Sequence, residues 1–428
     1  MPSSPLLRKQ RVAPTKPAEP SVTLSQRGVL RLQGRHPWVY RSDIFVGKDA
    51  SKNAASPGVN DVPPGAVVRV LDQRGKFLGT ALYSSSSQIA IRMISHGSVP
   101  DLPALVAERI RAAIAYRKEN GLVSDTDAYR VVFSEADFLP GLIVDRYNDV
   151  LSLQILTQAM DSAPVRAAIV QTLQEQLQPA GIVERVEARI RELEQLPPLE
   201  SRLLSGDKSL TQVAMNGVRF QYDGLEGQKT GAFLDQRENY AAAAEYGHGE
   251  VLDTFCYQGG FALHLALART PESGSKHSGV TGVDSSRSAL EMAEKNAALN
   301  GLEMEWIEAN AFDLLREYAA AGRRYDTLVL DPPAFAKTKR DLEKALGGYK
   351  ELNLRAMKML RPGGILVTCC CSFHVSVTDF LGVVAAAARD AHKDLRLLES
   401  RAASKDHPVL LNVPETSYLQ CLILAVSN

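Results

Sequence analysis

The chain has 428 residues, of which 45% are hydrophobic and 23% are charged. This length exceeds the roughly 100–200 residues of one ordinary domain, so two or three folded domains are expected. The 49 basic and 49 acidic residues give zero formal net charge, which excludes a general electrostatic attraction to nucleic acid, membranes or acidic partners. Apolar runs stay short of the ~20 residues of a membrane helix, and no hydrophobic leader follows the first basic residues. We therefore expect a soluble protein of the cytoplasm with no membrane partner.

The N-terminal part divides into a polar tail and a small β-rich domain. Residues 1–20 are rich in Pro, Ser and Lys without periodicity, which predicts a disordered tail. Among the first 41 residues, eight are Lys or Arg and only Glu19 is acidic, a local excess that suits phosphate contacts. Short apolar stretches separated by turn residues then predict a β-rich domain over residues 21–98. Its predicted strands are Val67–Leu71, Phe77–Tyr83 and Ile89–Ile94.

An α+β domain is predicted next, over residues 99–224. Apolar residues at helical spacing predict a first helix over Leu102–Asn120, and Gly121 would end it. Strands around a second helix then make a compact mixed domain. The predicted elements are strands Arg130–Phe133, Leu142–Asp145 and Leu151–Leu156, helix Ala163–Leu177, and strands Val183–Val186 and Val213–Phe220.

From residue 225 to residue 428, strands and helices alternate along the sequence. That alternation predicts an α/β domain with a parallel sheet covered by helices on both faces. The final segment, Val409–Val426, is predicted to add one or two closing strands. The other predicted strands are Glu250–Thr254, Val280–Asp284, Met304–Ile307, Thr327–Leu330 and Ile365–Cys369.

Polar loops follow three neighbouring strands of this predicted sheet. Ligands of open α/β sheets bind at the carboxyl ends of the strands. Gly259 and Gly260 follow the first strand, but they lack the GxGxxG spacing of dinucleotide sites. Asp284 ends the next strand, 25 residues after Gly259, at a position where an acid usually accepts hydrogen bonds from a ribose diol. The third loop, Asn310–Asp313, could accept from an adenine amino group. Together the loops predict a nucleoside site, including a nucleoside that bears a sulfonium.

The fourth and fifth strands end in a possible reacting centre. Asp331 precedes two prolines, Pro332 and Pro333, which hold the loop rigid. The fifth strand ends in three cysteines, and alternation places Cys369 and Cys371 on one face and Cys370 on the other. The other cysteines, Cys256 and Cys421, are expected to be buried, and the spacing gives neither a disulfide framework nor a zinc site.

A thiolate beside an acid suits methylation of a pyrimidine. Carbon 5 of cytosine is a weak nucleophile until a thiolate adds to carbon 6 and turns the ring into an enamine. Asp331, protonated or sharing a proton with ring nitrogen 3, would stabilise that adduct as a general acid. Loss of the carbon-5 proton would then expel the cysteine. The sequence leaves that last base open between a water and Asp331.

These motifs resemble bacterial large-subunit ribosomal RNA cytosine-5 methyltransferases. Gly34–Tyr40 resembles the opening of their PUA domain, Leu139–Tyr147 the signature of their middle strand-strand-helix-strand-strand domain, and Gly227–Arg237 the segment that covers the cofactor. The DPP loop and the Thr-Cys-x-Cys-Ser strand complete the pattern of their Rossmann-like methyltransferase domain. The chain departs from the family at three positions. The family often has a bulky side chain where this chain has Ala232, and often has Ser where it has Cys370. Some RNA cytosine-5 methyltransferases carry a second cysteine after their two prolines, where this chain has Ala334.

The resemblance implies S-adenosylmethionine as cofactor and structured ribosomal RNA as partner. It implies Cys371 as nucleophile, with Cys369 as the second candidate, and Asp331 as the catalytic acid. A homodimer is compatible with it. The implied cofactor contacts are Phe233, Asp235, Arg237, Asp253, Gln258, Gly259, Gly260, Phe261, Asp284, Asn310, Ala311, Asp313, Asp331 and Pro332. The candidate RNA contacts are Arg35, Arg41, Lys337, Lys339 and Arg340, of which the last three could equally form a solvated helix face.

Two other functions compete with this interpretation. A methyltransferase acting on a purine amino group uses a [DNS]-P-P-[YF] loop whose aromatic residue stacks on the flipped base. Here that position is Ala334, with Phe335 one residue later. A non-catalytic RNA-binding or ribosome-assembly factor could keep the same fold, although its acids at Asp253, Asp284 and Asp331 would then have no role.

Overall fold

The computed structural model describes residues 20–45, 62–124, 126–225, 233–269, 277–336 and 338–427. Residues 1–19 of the predicted tail, residues 227–232 of the cofactor-covering segment and Lys337 lie outside the described residues, as does the side chain of Lys339. Contacts between Cα atoms divide the chain into two compact units, Met1–Pro100 and Asp101–Asn428. The finer division into three domains stays a prediction.

The first unit contains a five-stranded sheet with the order β1-β3-β4-β5-β2. Its predicted strands are confirmed as β3, β4 and β5, while β1, β2 and helix α1 were not foreseen. Helix α1 starts at the cap Ser25, whose hydroxyl accepts from the Gly28 amide at 3.3 Å. The elements are β1 Ser21–Thr23, α1 Gln26–Gln33, β2 Trp38–Tyr40, β3 Val67–Leu71, β4 Phe77–Tyr83 and β5 Ile89–Ser95.

Some basic residues of the N-terminal region serve the fold of this unit. Asp43 is completely buried and pairs with Arg27 and, at 3.2 Å, with Arg31. A Cβ built on Gly28 would lie 2.8 Å from the Asp43 carbonyl oxygen, so the helix approaches this segment closely. These two arginines therefore neutralise a buried acid, which the count of basic residues could not foresee.

The second unit begins with a five-stranded sheet of order β10-β9-β8-β7-β6. Strands β8 and β9 are parallel, and α3 makes the crossover that parallel strands require. The predicted helix over residues 163–177 is confirmed, and β10 was not foreseen. The elements are α2 Leu102–Glu119, β6 Ala128–Phe133, β7 Leu142–Tyr147, β8 Val150–Ile155, α3 Ala163–Leu177, β9 Gly181–Glu184, α4 Ala188–Leu193 and β10 Arg202–Gly206.

The prediction of one strand over Val213–Phe220 is wrong. The segment is a hairpin of β11 (Leu210–Met215) and β12 (Val218–Asp223). Asn216 and Gly217 form its turn with φ of 50° and 83°. Positive φ at both positions is what a tight hairpin turn needs, and Asn-Gly is its usual sequence. Asn216-Gly217 is therefore the sequence signal that divides this segment into two strands.

The rest of the second unit is built on a sheet whose described strands have the order β15-β14-β13-β16-β17-β19-β18. The five predicted strands of this part are confirmed as β13 to β17, with helices between them. The elements are α5 Arg237–Tyr246, β13 Val251–Thr254, α6 Gly260–Arg269, β14 His277–Asp284, α7 Arg287–Leu299, β15 Glu303–Glu308, α8 Ala311–Ala320, β16 Tyr325–Leu330, α9 Leu342–Met359, β17 Leu360–Cys370, α10 Val377–Asp390, β18 Leu395–Arg401 and β19 Gln420–Val426.

Two details of the predicted sheet are wrong. The sheet is mixed, because β19 runs antiparallel to both β17 and β18. The predicted closing segment, Val409–Val426, contains β19, whereas β18 comes earlier in the chain. Strand β18 lies at the sheet edge, and its Leu397 and Leu398 are 49% and 38% exposed. It therefore lacks the buried apolar run by which the central strands were recognised.

His264 anchors the β11–β12 hairpin to α6. Its Nδ1 lies 2.7 Å from the Gly260 carbonyl oxygen, and its Nε2 lies 3.0 Å from the Met215 carbonyl oxygen. Burial disfavours the charged ring and lowers the pKa of His264 to about 4. The folded state therefore holds a neutral imidazole, whose Nδ1–H can donate to Gly260 while Nε2 accepts from Asn216 Nδ2 at 3.2 Å.

The buried imidazole predicts a loss of stability in mild acid. The folded-state pKa lies below the unfolded value, so the unfolded chain binds the extra proton first, and stability falls as the pH drops from about 6.5 towards 4. The expected loss is about 3 kcal/mol of unfolding free energy over that window. Urea unfolding between pH 7.5 and 4 should show a steeper decline in the wild type than in His264→Gln. Parallel curves would contradict this.

Candidate active site

The loop after β13 is held in an unusual backbone conformation. Phe255, Tyr257 and Gly259 have positive φ of 64°, 48° and 90°. The Tyr257 amide donates to Asp284 Oδ2 at 2.9 Å, and the Ser286 amide donates to Asp284 Oδ1 at 2.9 Å. Asp284 therefore joins the loops after β13 and β14. Strained backbone of this kind persists where the surrounding structure fixes it, often at ligand sites.

The two glycines of this loop lie against aromatic rings. A Cβ on Gly260 would lie 2.4 Å from Cζ of Tyr240, and one on Gly259 would lie 3.0 Å from the Trp306 ring. Tyr240 in turn packs edge-on against Phe261, with 4.7 Å between ring centroids. Glycine at these two positions thus lets the aromatic rings pack closely, and Gly259 also has the positive φ that the loop needs.

We predict that Gly260→Ala destabilises the protein by about 1–3 kcal/mol, the usual cost of overpacking a core position. The new methyl group would have to displace the buried Tyr240 ring. Gly347→Ala in α9 is the matched control, since a Cβ there meets nothing within 4 Å. That control should be neutral or stabilising by up to about 1 kcal/mol. Equal urea midpoints for the two variants would contradict the packing account.

Asp253 is a buried acid at the end of β13. Its Oδ2 accepts from the Ala262 amide at 2.9 Å, whereas its buried Oδ1 has no hydrogen-bond partner among the described residues. Burial raises the pKa of Asp253 well above its usual range, and the nearby Asp331 and Asp284 carboxylates add to the rise. A buried polar atom without a partner points to an unseen ligand donor or a bound proton. This observation fits a cofactor with hydrogen-bond donors at this edge.

The third predicted loop caps helix α8. Asn310 Oδ1 accepts from the amides of Phe312 at 2.9 Å and Asp313 at 3.4 Å. Ala311 is buried. The Asp313 side chain is 69% exposed and pairs with Arg316 at 2.8 Å. The structure thus gives this loop a capping role, and any adenine contact would come in addition to it.

The segment from Phe233 to Arg237 lies against the β13 loop and the β18–β19 connection. The Phe233 ring meets the Tyr257 ring edge-on, with centroids 5.1 Å apart. Asp235 Oδ2 accepts from the Tyr418 hydroxyl at 2.6 Å. Arg237 is 1% exposed, and its Nη2 lies 3.5 Å from Asp406 Oδ1. The described contacts of Asp235 and Arg237 thus tie this segment to the loop that follows β18.

The DPP loop meets the end of β17. Asp331 Oδ1 accepts from Gln236 Nε2 at 3.0 Å. The Cys371 thiol lies 3.6 Å from the Pro332 carbonyl oxygen. Ser372 Oγ accepts from the amides of Phe335 at 3.0 Å and Ala336 at 3.3 Å, and it hydrogen-bonds the Tyr349 hydroxyl. The acid and the cysteine that the sequence singled out therefore lie on adjoining loops.

The three consecutive cysteines differ in accessibility. Cys369 and Cys370 are completely buried on opposite faces of the sheet, whereas Cys371 lies just beyond β17 and is partly exposed. Burial raises the pKa of the Cys369 thiol well above its usual range and also raises the pKa of the Cys370 thiol. A buried, protonated thiol is a poor nucleophile. Among the three, Cys371 is the one whose side chain is partly exposed.

The candidate RNA contacts have different surroundings. Arg41 Nη2 donates to the carbonyl oxygens of Ser84 at 2.7 Å and Ser87 at 2.9 Å. Arg35 is exposed with φ of 62°, and Arg340 is exposed. Arg41 thus holds a turn of its own unit, and Arg35 and Arg340 lie on the surface. Within the described part of the chain, no helix is long and apolar enough to cross a membrane, and no cluster of metal-ligand side chains is found.

Sequence reasoning missed three residues that connect these loops. Gln236 reaches Asp331, although 95 residues separate them. Ser372 and Tyr349 fix the loop that follows Asp331. Gln236 stands between two predicted contacts, Asp235 and Arg237, so its position offered a signal.

Comparisons with known proteins agree with this arrangement. A PUA-like domain family matches residues 22–96, and an S-adenosylmethionine-dependent methyltransferase family matches residues 142–422. The ribosomal RNA large subunit methyltransferase I of Shewanella denitrificans is 36% identical over 402 residues, covering 92% of this chain and 96% of its own length. The protein of that name from Yersinia pestis is 34% identical, covering 90% and 94%.

Solved structures show the same fold. A SAM-dependent methyltransferase from Streptococcus mutans has a TM-score of 0.75 at 18% identity and covers 95% of this chain and 100% of its own. A methyltransferase complexed with SAH has a TM-score of 0.76 with the same coverage. These structures confirm the predicted fold class, and the match to the methyltransferase family confirms the predicted cofactor, S-adenosylmethionine. The chain therefore belongs to the S-adenosylmethionine-dependent methyltransferase family, carries an N-terminal PUA-like domain, and shares its family with the proteins named ribosomal RNA large subunit methyltransferase I.

Proposed function

We propose that the protein methylates carbon 5 of a cytidine in large-subunit ribosomal RNA through a covalent adduct with Cys371. The observation that carries this proposal is a partly exposed thiol 3.6 Å from the DPP loop carbonyl, next to an acid on that same loop. The names of the relatives support ribosomal RNA as the substrate class. Such a substrate would place the protein in the cytoplasm, and a homodimer stays a prediction.

The cofactor would lie at the carboxyl ends of β13 to β16. Asp284 is held by two backbone amides and keeps lone pairs for the ribose hydroxyls. Asp253 offers a buried carboxyl oxygen that a cofactor donor could reach. The remaining contacts proposed from the family lie on the Phe233–Arg237 segment, on the Gln258–Phe261 and Asn310–Asp313 loops, and at Asp331 and Pro332. When bound, S-adenosylmethionine supplies an electrophilic methyl group.

The chain's own residues would activate the base. The Cys371 thiolate adds to carbon 6 of cytosine, which forms a carbon–sulfur bond and makes carbon 5 nucleophilic. Asp331 donates or shares a proton at ring nitrogen 3, which stabilises the adduct. After methyl transfer, a water or Asp331 accepts the carbon-5 proton, and the electron pair of that bond restores the ring double bond and expels the Cys371 thiolate as the carbon–sulfur bond breaks. Burial of Cys369 and Cys370 leaves Cys371 to perform this step.

RNA binding is assigned to the PUA-like domain and to the basic residues that follow the DPP loop in the sequence, Lys337, Lys339 and Arg340. Structured RNA is recognised by its shape and phosphates, which suits exposed arginines such as Arg35 and Arg340. The division into a PUA-like domain at 21–98, a middle domain at 99–224 and a methyltransferase domain at 225–428 is part of this proposal.

The purine-amine alternative fits the loop less well. Such enzymes need an aromatic side chain that is available to stack on the flipped base. Phe335 instead packs against Tyr349, with ring centroids 4.7 Å apart, and against Phe312, at 5.8 Å. Position 334 is alanine.

Analysis of the methylated nucleoside tests the proposal. Ribosomal RNA from cells lacking this protein would be incubated with the purified chain and labelled S-adenosylmethionine, then digested to nucleosides. The expected product is 5-methylcytidine. A methylated purine would overturn the cytosine assignment, and absence of transfer with normal cofactor binding would favour a non-catalytic RNA-binding role.

A further inference from the structure

A chain of buried amides connects Asp331 with an arginine on the edge strand β18. Arg401 Nε donates to Asn239 Oδ1 at 2.9 Å. Asn239 Nδ2 donates to Gln236 Oε1 at 2.7 Å, and Gln236 Nε2 donates to Asp331 Oδ1 at 3.0 Å. Three hydrogen bonds thus link the DPP loop to a residue 70 positions later in the sequence.

The donor and acceptor groups of these side chains fix the direction of each of the three hydrogen bonds. A guanidinium donates and never accepts, so the Asn239 amide must turn its oxygen towards Arg401. Its amino group then faces Gln236, which must present its own oxygen in return. The Gln236 amino group is therefore left facing Asp331. Each amide orientation follows from the one before it, starting at the arginine.

The second donor of the Asn239 amide is also used, because Asn239 Nδ2 donates to the Ala402 carbonyl oxygen at 3.1 Å. Gln236 and Asn239 are 2% and 1% exposed. A flip of either amide would leave buried groups without partners, which costs about 1–3 kcal/mol for each group. The chain therefore has one stable orientation.

The hydrogen bond from Gln236 affects where Asp331 can carry a proton. An amide that donates to a carboxylate favours its ionised form, and a proton on the acid then prefers the other oxygen, Oδ2. Burial, together with the nearby Asp331 carboxylate, raises the pKa of the Asp253 carboxyl, the Tyr240 hydroxyl and the Cys369 thiol, so these neighbours stay protonated and uncharged. Gln236 is thus a neutral donor in an acidic neighbourhood.

We infer that Gln236 is a positioning residue of the methyl transfer, which holds Asp331 through Oδ1 so that the acid meets the base through Oδ2. Asn239 and Arg401 fix the direction in which Gln236 donates. This inference rests on the proposed role of Asp331. Gln236 acts through that acid and is not itself a catalytic residue.

Gln236→Leu tests the inference because leucine fills a similar volume and cannot donate. Methyl transfer at saturating RNA and cofactor should fall about 10- to 100-fold, the usual worth of a hydrogen bond to a charged group. The affinity for S-adenosylmethionine, measured by calorimetry, should change less than threefold. The limb of the pH–rate profile that reports Asp331 should move to higher pH, because the carboxylate loses a hydrogen-bond donor that favours its ionised form.

Gln158→Leu is the matched control for loss of a buried glutamine. Gln158 is 8% exposed, and its Nε2 donates to the Glu194 carbonyl oxygen at 2.6 Å in the middle part of the chain. This variant should keep the wild-type rate and pH profile, even if its stability falls. An equal rate loss in both variants would reduce Gln236 to a structural role and overturn the inference.

Asn239→Asp provides a second test with a side chain of nearly the same shape. An aspartate accepts from Arg401 but cannot donate to Gln236, so the Gln236 amide should turn its oxygen towards Asp331. Asp331 would then need a proton to satisfy the pair. We expect at least a tenfold loss of rate, again with the apparent pKa of the Asp331 limb raised. An unchanged rate and profile would overturn the inference, including in the case that Gln236→Leu fails to fold.

These results separate the inference from the proposed function. If the wild type makes 5-methylcytidine and both variants keep its rate and pH profile, the positioning role is wrong and the function stands. If the wild type makes a methylated purine, the proposed function is wrong, whatever the variants do.

Discussion

Replacing Cys371 by alanine is expected to reduce methyl transfer by at least about 10⁴-fold, because removal of a covalent nucleophile eliminates the main reaction path. Binding of S-adenosylmethionine should remain within threefold of the wild type, since the thiol lies near the Pro332 carbonyl and belongs to the substrate side of the proposed site. Measurement of single-turnover transfer to ribosomal RNA, together with calorimetry of cofactor binding, checks both expectations.

Cys370→Ala is the matched control for this variant. It removes the adjacent thiol, which is completely buried on the opposite face from Cys369. We expect a modest loss of stability, about 1 kcal/mol for the small cavity, and a nearly unchanged rate. If Cys371→Ala kept its activity and either Cys369→Ala or Cys370→Ala lost it, the nucleophile would be misassigned.

Asp331→Asn is expected to lower the rate by about 10³-fold, within the usual range for loss of a positioned acid or base. Asparagine keeps an oxygen that can accept from Gln236, so the loop should hold its shape. It cannot supply a proton to ring nitrogen 3 as a carboxylic acid does. The covalent adduct should therefore form more slowly, which single-turnover transfer to ribosomal RNA measures.

Asp326→Asn separates this effect from general loss of an acid on the same strand. Asp326 lies at the start of β16, where it accepts from the Glu250 amide at 2.8 Å and pairs with Arg361 at 2.6 Å. That variant should lose some stability and keep its rate of transfer. Rates that fall equally in both variants would argue against a chemical role for Asp331.

The sequence predicted the sheet best where its strands are buried on both faces. Strands β13 to β17 carry apolar runs between helices, and their order of appearance was enough to find them. The sequence did not predict the edge strands β18 and β10, because neither has the buried apolar pattern of a central strand. Strand β18 exposes Leu397 and Leu398, and β10 is largely exposed. Whether β19 runs parallel or antiparallel depends on the strands that pair with it, and its own residues do not indicate which.

The site was predictable in part. Parallel strands bring their carboxyl ends to one edge, so the proximity of Asp331 and Cys371 followed from strand order alone. The burial of Arg237 beside Asp406 did not, because the partner lies 169 residues away. The link from Arg401 through Asn239 to Gln236 is also invisible in the sequence, since amide directions are set by partners that only the fold brings together.

Trapping of the covalent intermediate tests the central claim most directly. RNA that carries 5-fluorocytidine cannot lose the atom at carbon 5, so a cysteine adduct should persist after methyl transfer. We predict a stable protein–RNA complex that requires S-adenosylmethionine, with mass spectrometry locating the modified base on the peptide that contains Cys371 and no complex in Cys371→Ala. Methyl transfer to ordinary RNA without any trapped adduct, or an adduct located on another residue, would contradict the cysteine mechanism.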